Sequence, residues 1–192
     1  MGISLNLPNV ITLVRIALIP ILVLVFYLPV AWSSAAAAVV FALGALSDWL
    51  DGYLARRLAQ TSPFGAFLDP VADKLMVAVA LVLLVQADPT PWLAVPAAVI
   101  VGREIVISAL REWMAEVGKR AHVAVSLIGK LKTVVQMVAL VCMLYRQPVA
   151  GLPVYEVGFG LLYLAAGLTL WSMVMYLRAA RAALRPGGPA AG

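Results

Sequence analysis

The stretch Asp48 to Asp73, DWLDGYLARRLAQTSPFGAFLDPVAD, decides how the rest of the chain is read. It places four carboxylates, Asp48, Asp51, Asp69 and Asp73, in the pattern D-x-x-D-G-x-x-A-R-x8-G-x-x-x-D-x-x-x-D. The surrounding chain is 64% hydrophobic and only 12% charged. Its mean hydropathy of +1.02 belongs to a protein whose solvent is lipid. An ionised carboxylate near the middle of a bilayer costs about 2.5–3.5 kcal/mol, so four cost roughly 10 kcal/mol unless something offsets them.

Working outward, apolar stretches of about 20 residues, enough to cross the hydrocarbon layer, fall at 8–28, 33–56, 68–86, 92–114, 123–146 and 154–178. The expected fold is therefore an all-α integral membrane protein of six transmembrane helices, with a polar metal-binding cavity opening to the cytoplasm. The first apolar stretch has neither a basic n-region before it nor a small-residue cleavage site after it, so it reads as a retained helix. Short connections at 28–34 and 88–92 leave no room for a soluble domain. A single membrane-embedded domain is expected over 1–184, followed by a disordered tail, 185–192, rich in Pro, Gly and Ala.

Alternation along six helices puts Arg56, Arg57, Arg111, Lys119, Arg120, Arg178, Arg181 and Arg185 on one side and only Arg146 on the other. The positive-inside rule makes the first side cytoplasmic, with both termini. The net charge of +5 suits a surface facing anionic headgroups. Nucleic acid is not an expected partner, because no basic run is interleaved with aromatic residues. Cys142 cannot form an intrachain disulfide, and His122 reads as a loop residue at a helix start.

On helices, Asp48 with Asp51 and Asp69 with Asp73 each project from one face, one turn apart. The segment 57–67, with Thr61, Ser62, Pro63 and Gly65, can turn the chain so that the two pairs face each other near the cytoplasmic end. Carboxylates gathered without His or Cys are hard ligands, suited to Mg²⁺ or Mn²⁺ and poorly suited to structural zinc. Four negative charges match two divalent cations, an arrangement that clamps phosphoryl groups, and a pyrophosphate substrate fits. Gly52 permits close approach of a ligand or helix. Arg56, about 12 Å along the axis from Asp48, can reach a base or phosphate. Taken singly, each feature has a plainer reading: an Asp paired with Lys74, a packing glycine, a cytoplasmic anchor at Arg56. Together, at fixed spacing over 26 positions, they favour a site.

These residues, with Ala55, match the signature of the CDP-alcohol phosphotransferase family at every specified position. The resemblance implies a six-helix fold holding two divalent cations and the transfer of a phosphoryl-linked group from a CDP donor to an alcohol. It implies that Asp48, Asp51 and Asp69 ligate metal, that Asp73 both ligates metal and acts as general base, and that Asp48, Asp51 and Asp69 contact the CDP-lipid together with Gly52, Arg56, Ser62 and Gly65. It also implies a homodimer. The stretches NLPNVITLVRIALIP, GREIVISALREWMAEVGKR and IGKLKTVVQMVAL, within a likeness running from about Asn6 to Tyr176, resemble the branch that uses CDP-diacylglycerol and sn-glycerol 3-phosphate in bacterial cytoplasmic (inner) membranes.

An anionic acceptor needs cations of its own. Arg111, Lys130 and Lys132 lie in or beside apolar sequence, where charge is expensive unless used. They are expected to form the main glycerol-phosphate pocket, supported by Arg103, Thr12 and Arg15. The plainer alternative is ion pairing within the bundle, Arg103 with Glu104 and Arg111 with Glu112, or snorkelling of the lysines. Serine would be disfavoured by such a pocket; inositol phosphate would not. A cation or proton transporter is the rival from another class, but the carboxylates cluster near one face and no broken helix pair suggests alternating access.

Overall fold

The computed structural model describes residues 7–58, 63–117 and 127–184, with the side chains at 7–8, 48–49, 51–58, 63–64, 66, 127–130 and 182–184 outside the description. The elements of the described chain are six α-helices, in the order α1 Leu7–Phe26, α2 Ser33–Leu58, α3 Pro63–Ala87, α4 Pro91–Glu116, α5 Leu127–Tyr145 and α6 Val154–Leu184, with one isolated β-bridge between Val149 and Leu152. The expected tail, His122 and Ser62 lie outside the described residues.

Among the described residues, three segments are by themselves long and apolar enough to cross a membrane: Asn9–Phe26, Pro91–Glu116 and Val154–Arg181. Ser33–Ser47 and Leu131–Tyr145 are shorter apolar helical segments. Helix α6, at 31 residues, is about 46 Å long. It exceeds the hydrocarbon thickness, and its surplus carries Arg181 and Leu184 beyond the expected end at 178.

Prolines mark the starts of two helices. Pro63 opens α3 and Pro91 opens α4 behind Thr90, positions where the missing N–H has no helical partner to lose. The two helices close in on the expected turn over 57–67, and only the placing of Gly65 in a loop is corrected. Helix α2 runs to Leu58 and α3 begins at Pro63, so Gly65 is buried in the first turn of α3 rather than in a loop.

α5 packs most extensively on α6, α1 on α2 and on α3, and α4 on α6, with α2 also against α5. The core joins Leu22, Phe41, Leu81, Leu84, Leu140 and Leu162 from five helices. At Gly158 a Cβ would lie 2.8 Å from Cys142 Cβ and 2.9 Å from the Ala139 carbonyl, so the absent side chain sets the α5–α6 spacing. Large apolar side chains such as Leu24, Val82, Ile105 and Trp171 point outward, as expected when lipid is the solvent.

The two ends of the bundle differ. At one, Tyr155 donates to Asp88 at 2.8 Å, Tyr163 to the Trp92 carbonyl at 2.7 Å, and Arg146 stacks over Phe26 at 5.2 Å. Exposed Tyr27, Trp32 and Trp92 cluster there, the composition of an interfacial aromatic belt. At the opposite end lie the carboxylate-bearing turns of α2 and α3 and the basic ends of α4 and α6.

Candidate active site

Asp69 and Asp73 stand one turn apart on α3, both half-buried, as their spacing predicts. Asp48, Asp51, Gly52 and Arg56 occupy the second half of α2, which packs against α3. Their side chains are outside the description, so the described half of the cluster is the α3 pair. Among the described residues no group of three acidic, His or Cys side chains forms a metal site. The donor set still fits a hard divalent cation: the two described members are carboxylates, and Asp69 already accepts from a neutral donor that holds it in place.

That donor is Thr12. Its hydroxyl, buried on α1, bonds Asp69 Oδ1 at 2.5 Å. Arg15, one turn further along α1 and only 1% exposed, borders a crevice with Asp73, Gly44 and Met76. Thr12 and Arg15 were expected to support the acceptor pocket; the structure sets them beside the carboxylates of α3. A helix that carries two carboxylates needs its neighbour to supply polar partners, and α1 is that neighbour.

The cations come together on the opposite side of Asp73. A cavity of about 330 Å³ is lined by Asp73 and Lys74 from α3, Arg103, Glu104 and Arg111 from α4, and Lys132 and Gln136 from α5. Each helix contributes a stripe at helical spacing, Asp73 to Val77 on α3, Glu104 to Arg111 on α4 and Lys132 to Gln136 on α5. Four cations face two carboxylates, leaving the cavity positive. Lys130 lies in the first turn of α5, with its side chain outside the description.

Glu104 organises this charge. Its Oε1 accepts from Arg103 Nη1 at 2.6 Å and from Lys132 Nζ at 2.9 Å. Arg103 Nη2 also reaches Ser172 Oγ on α6 at 3.2 Å. Lys74 donates to Ser108 Oγ, which in turn donates to the Glu104 carbonyl at 2.6 Å. The plainer alternative, Lys74 paired with Asp73, gives way to a bond from Lys74 to α4. Arg111 lies at the exposed end of α4, its guanidinium 5.3 Å above the Tyr176 ring. Arg103 Nε is buried without an acceptor among the described residues, a donor suited to an incoming oxyanion.

Sequence reasoning treated Glu104 only as a neighbour that could neutralise Arg103, and passed over Gln136 altogether. A buried amide inside an apolar helix is the signal that could have singled out Gln136. Beside the cavity, sharing Lys74, Val77 and Glu104 with it, an apolar groove of about 360 Å³ runs between α3 and α4 past Leu75, Ala78, Ile100, Val101 and Ile105.

Carboxylates of α3 and α4, cations of α3, α4 and α5 and an apolar groove at their edge thus meet in one place. Residues 5–174 match the CDP-alcohol phosphatidyltransferase family, and the chain belongs to it. The chain is 58% identical to the CDP-diacylglycerol–glycerol-3-phosphate 3-phosphatidyltransferase of Shigella flexneri serotype 5b over 179 residues, 93% of this chain and 97% of that protein. It is 57% identical, over the same shares, to the protein of that name from Escherichia coli K12.

Proposed function

We propose that the protein transfers the phosphatidyl group of CDP-diacylglycerol to sn-glycerol 3-phosphate, giving phosphatidylglycerophosphate and CMP. The observation that carries this reading is the single cavity in which Asp73 faces Arg103, Arg111 and Lys132. A carboxylate able to take a proton and a set of cations able to hold a phosphate are the two things this acceptor requires. The 57–58% identity to relatives bearing that activity in their names supports the same donor and acceptor.

In this reading the acceptor phosphate rests among Arg103, Arg111, Lys132 and Lys130, with Arg103 Nε as one donor. Its primary hydroxyl lies toward Asp73, which removes the proton as the oxygen attacks the lipid-side β-phosphorus. The new O–P bond forms as the P–O bond to CMP breaks, and the electron pair leaves with CMP. Asp48, Asp51, Asp69 and Asp73 would hold two divalent cations, Mg²⁺ or Mn²⁺, which supply charge neutralisation at the pyrophosphate. Thr12 fixes the Asp69 carboxylate, and Arg15 balances charge beside Asp73. Gly52, Arg56, Ser62 and Gly65 are assigned to the cytidine nucleotide. The α3–α4 groove gives a donor acyl chain an apolar path that ends at the cavity.

All six helices are read as crossing the bilayer of a bacterial inner membrane, with the cavity and both termini on the cytoplasmic side. Arg111, Arg178 and Arg181 at the cavity end, against Arg146 at the aromatic end, support this orientation.

The test is direct. Purified protein in detergent, given CDP-diacylglycerol, radiolabelled sn-glycerol 3-phosphate and Mg²⁺ or Mn²⁺, should yield lipid-soluble label and an equal amount of CMP. Serine or inositol phosphate in place of the labelled acceptor should yield little. Folded protein that gives no metal-dependent product overturns the reading.

A further inference from the structure

Gln136 lines the cavity, is only 5% exposed, and its Oε1 is buried with no hydrogen-bond donor among the described residues. A buried amide oxygen left without a donor is unfavourable, and such an atom on a cavity wall marks a place for a ligand hydroxyl or an ordered water. We infer that Gln136 is the specificity-determining residue that accepts a hydrogen bond from the secondary hydroxyl of a three-carbon alcohol phosphate. This rests on the transfer reaction proposed above.

The polarity of the unpaired atoms carries the inference. Arg103 Nε is an unpaired donor, which a phosphate oxygen satisfies. Gln136 Oε1 is an unpaired acceptor, which an ionised phosphate has no proton to satisfy. One ligand that answers both must carry a phosphate and a separate hydroxyl or ammonium. The surrounding cations Lys74, Arg103, Arg111 and Lys132 repel an ammonium, so the donor is a hydroxyl.

The spacing agrees. Gln136 follows Lys132 by one turn on α5, about 6 Å along the axis, and both face the cavity with Asp73. A phosphate at Lys132 and a reacting hydroxyl at Asp73 leave the middle carbon of a three-carbon chain near Gln136. The other polar side chains around it are engaged: Lys132 and Arg103 with Glu104, and Lys74 with Ser108.

The experiment compares two acceptors in the detergent assay, sn-glycerol 3-phosphate and 3-hydroxypropyl phosphate, which lacks only the secondary hydroxyl. Wild-type protein should prefer the former by a hundredfold or more in kcat/KM, because the analogue leaves Gln136 unpaired. Gln136→Met, similar in volume and without the amide, should lower that preference at least tenfold, mainly by slowing glycerol 3-phosphate. Gln136→Glu, which keeps an acceptor oxygen, should retain more of the preference than Met. Inhibition by inorganic phosphate should be unchanged in the Met variant. A preference that stays constant while both acceptors slow together overturns the assignment and leaves a packing role. Should the Met variant not fold, a wild-type preference below about threefold overturns it equally. Folded wild-type protein that turns over neither acceptor overturns the transfer reaction itself, and this assignment with it.

Discussion

Thr12 on α1 donates its hydroxyl to Oδ1 of Asp69 on α3 at 2.5 Å, across 57 residues of sequence. The bond ties the first helix to the carboxylate pair of α3, and in the proposed reaction the second oxygen of Asp69 serves a cation. Groups that orient a metal-binding carboxylate typically change metal affinity or activity by about 10–100-fold when removed.

Thr12→Val should therefore raise the Mg²⁺ or Mn²⁺ concentration needed for half-maximal rate by roughly tenfold or more, with the helical content unchanged. Thr12→Ser, which keeps the hydroxyl, should stay near wild type. Chelation by EDTA should stop turnover in all three, and readdition of either cation should restore it. Equal metal requirements in the Val variant and wild type would remove Thr12 from the site.

Asp73→Asn should cut kcat by about 10²–10⁴, the range for loss of a positioned base. Circular dichroism and gel filtration in detergent should match wild type, since the amide keeps the shape of the side chain. Substantial activity in this variant would sink the proton-accepting role.

Arg111→Gln and Lys132→Gln should each raise KM for glycerol 3-phosphate by about 10–100-fold, from the roughly 1.5–3 kcal/mol of a charged hydrogen bond. KM for CDP-diacylglycerol should move far less. The two should differ in stability: Lys132 is buried and pairs with Glu104, whereas Arg111 is exposed and stacks on Tyr176. Thermal unfolding in detergent should thus fall for Lys132→Gln and hold for Arg111→Gln. Equal rises in KM for both substrates would indicate a folding role instead.

Gly158→Ala should destabilise the bundle by about 1–3 kcal/mol, because the new methyl meets Cys142, Met143 and the Ala139 carbonyl at under 3 Å. Gly160→Ala and Gly167→Ala, on the same helix with nothing within 4 Å of a new Cβ, are the controls and should be neutral or slightly stabilising. The measurement is the midpoint of thermal unfolding in detergent. A neutral Gly158→Ala would show that α5 and α6 can separate freely there.

Sequence alone determined the features that repeat locally. Six apolar stretches gave six helices, and a spacing of four residues put Asp69 with Asp73 on a common face before any helix was placed beside another. The asymmetry of basic residues gave the two ends of the bundle, and the signature residues gave the family. Tertiary structure alone decided the neighbours. It brought Thr12 to Asp69, made Glu104 the shared acceptor of Arg103 and Lys132, and turned Gln136 into the same cavity as Asp73. It also placed Gly65 inside α3, because Pro63 starts a helix where the composition suggested a turn. The physical reason is the solvent. In lipid, buried and outward faces are both apolar, so no hydrophobic stripe marks which side of a helix meets which partner. The small residues and polar bonds that choose the partners act across the bundle, and their pairing exists only once the helices have packed.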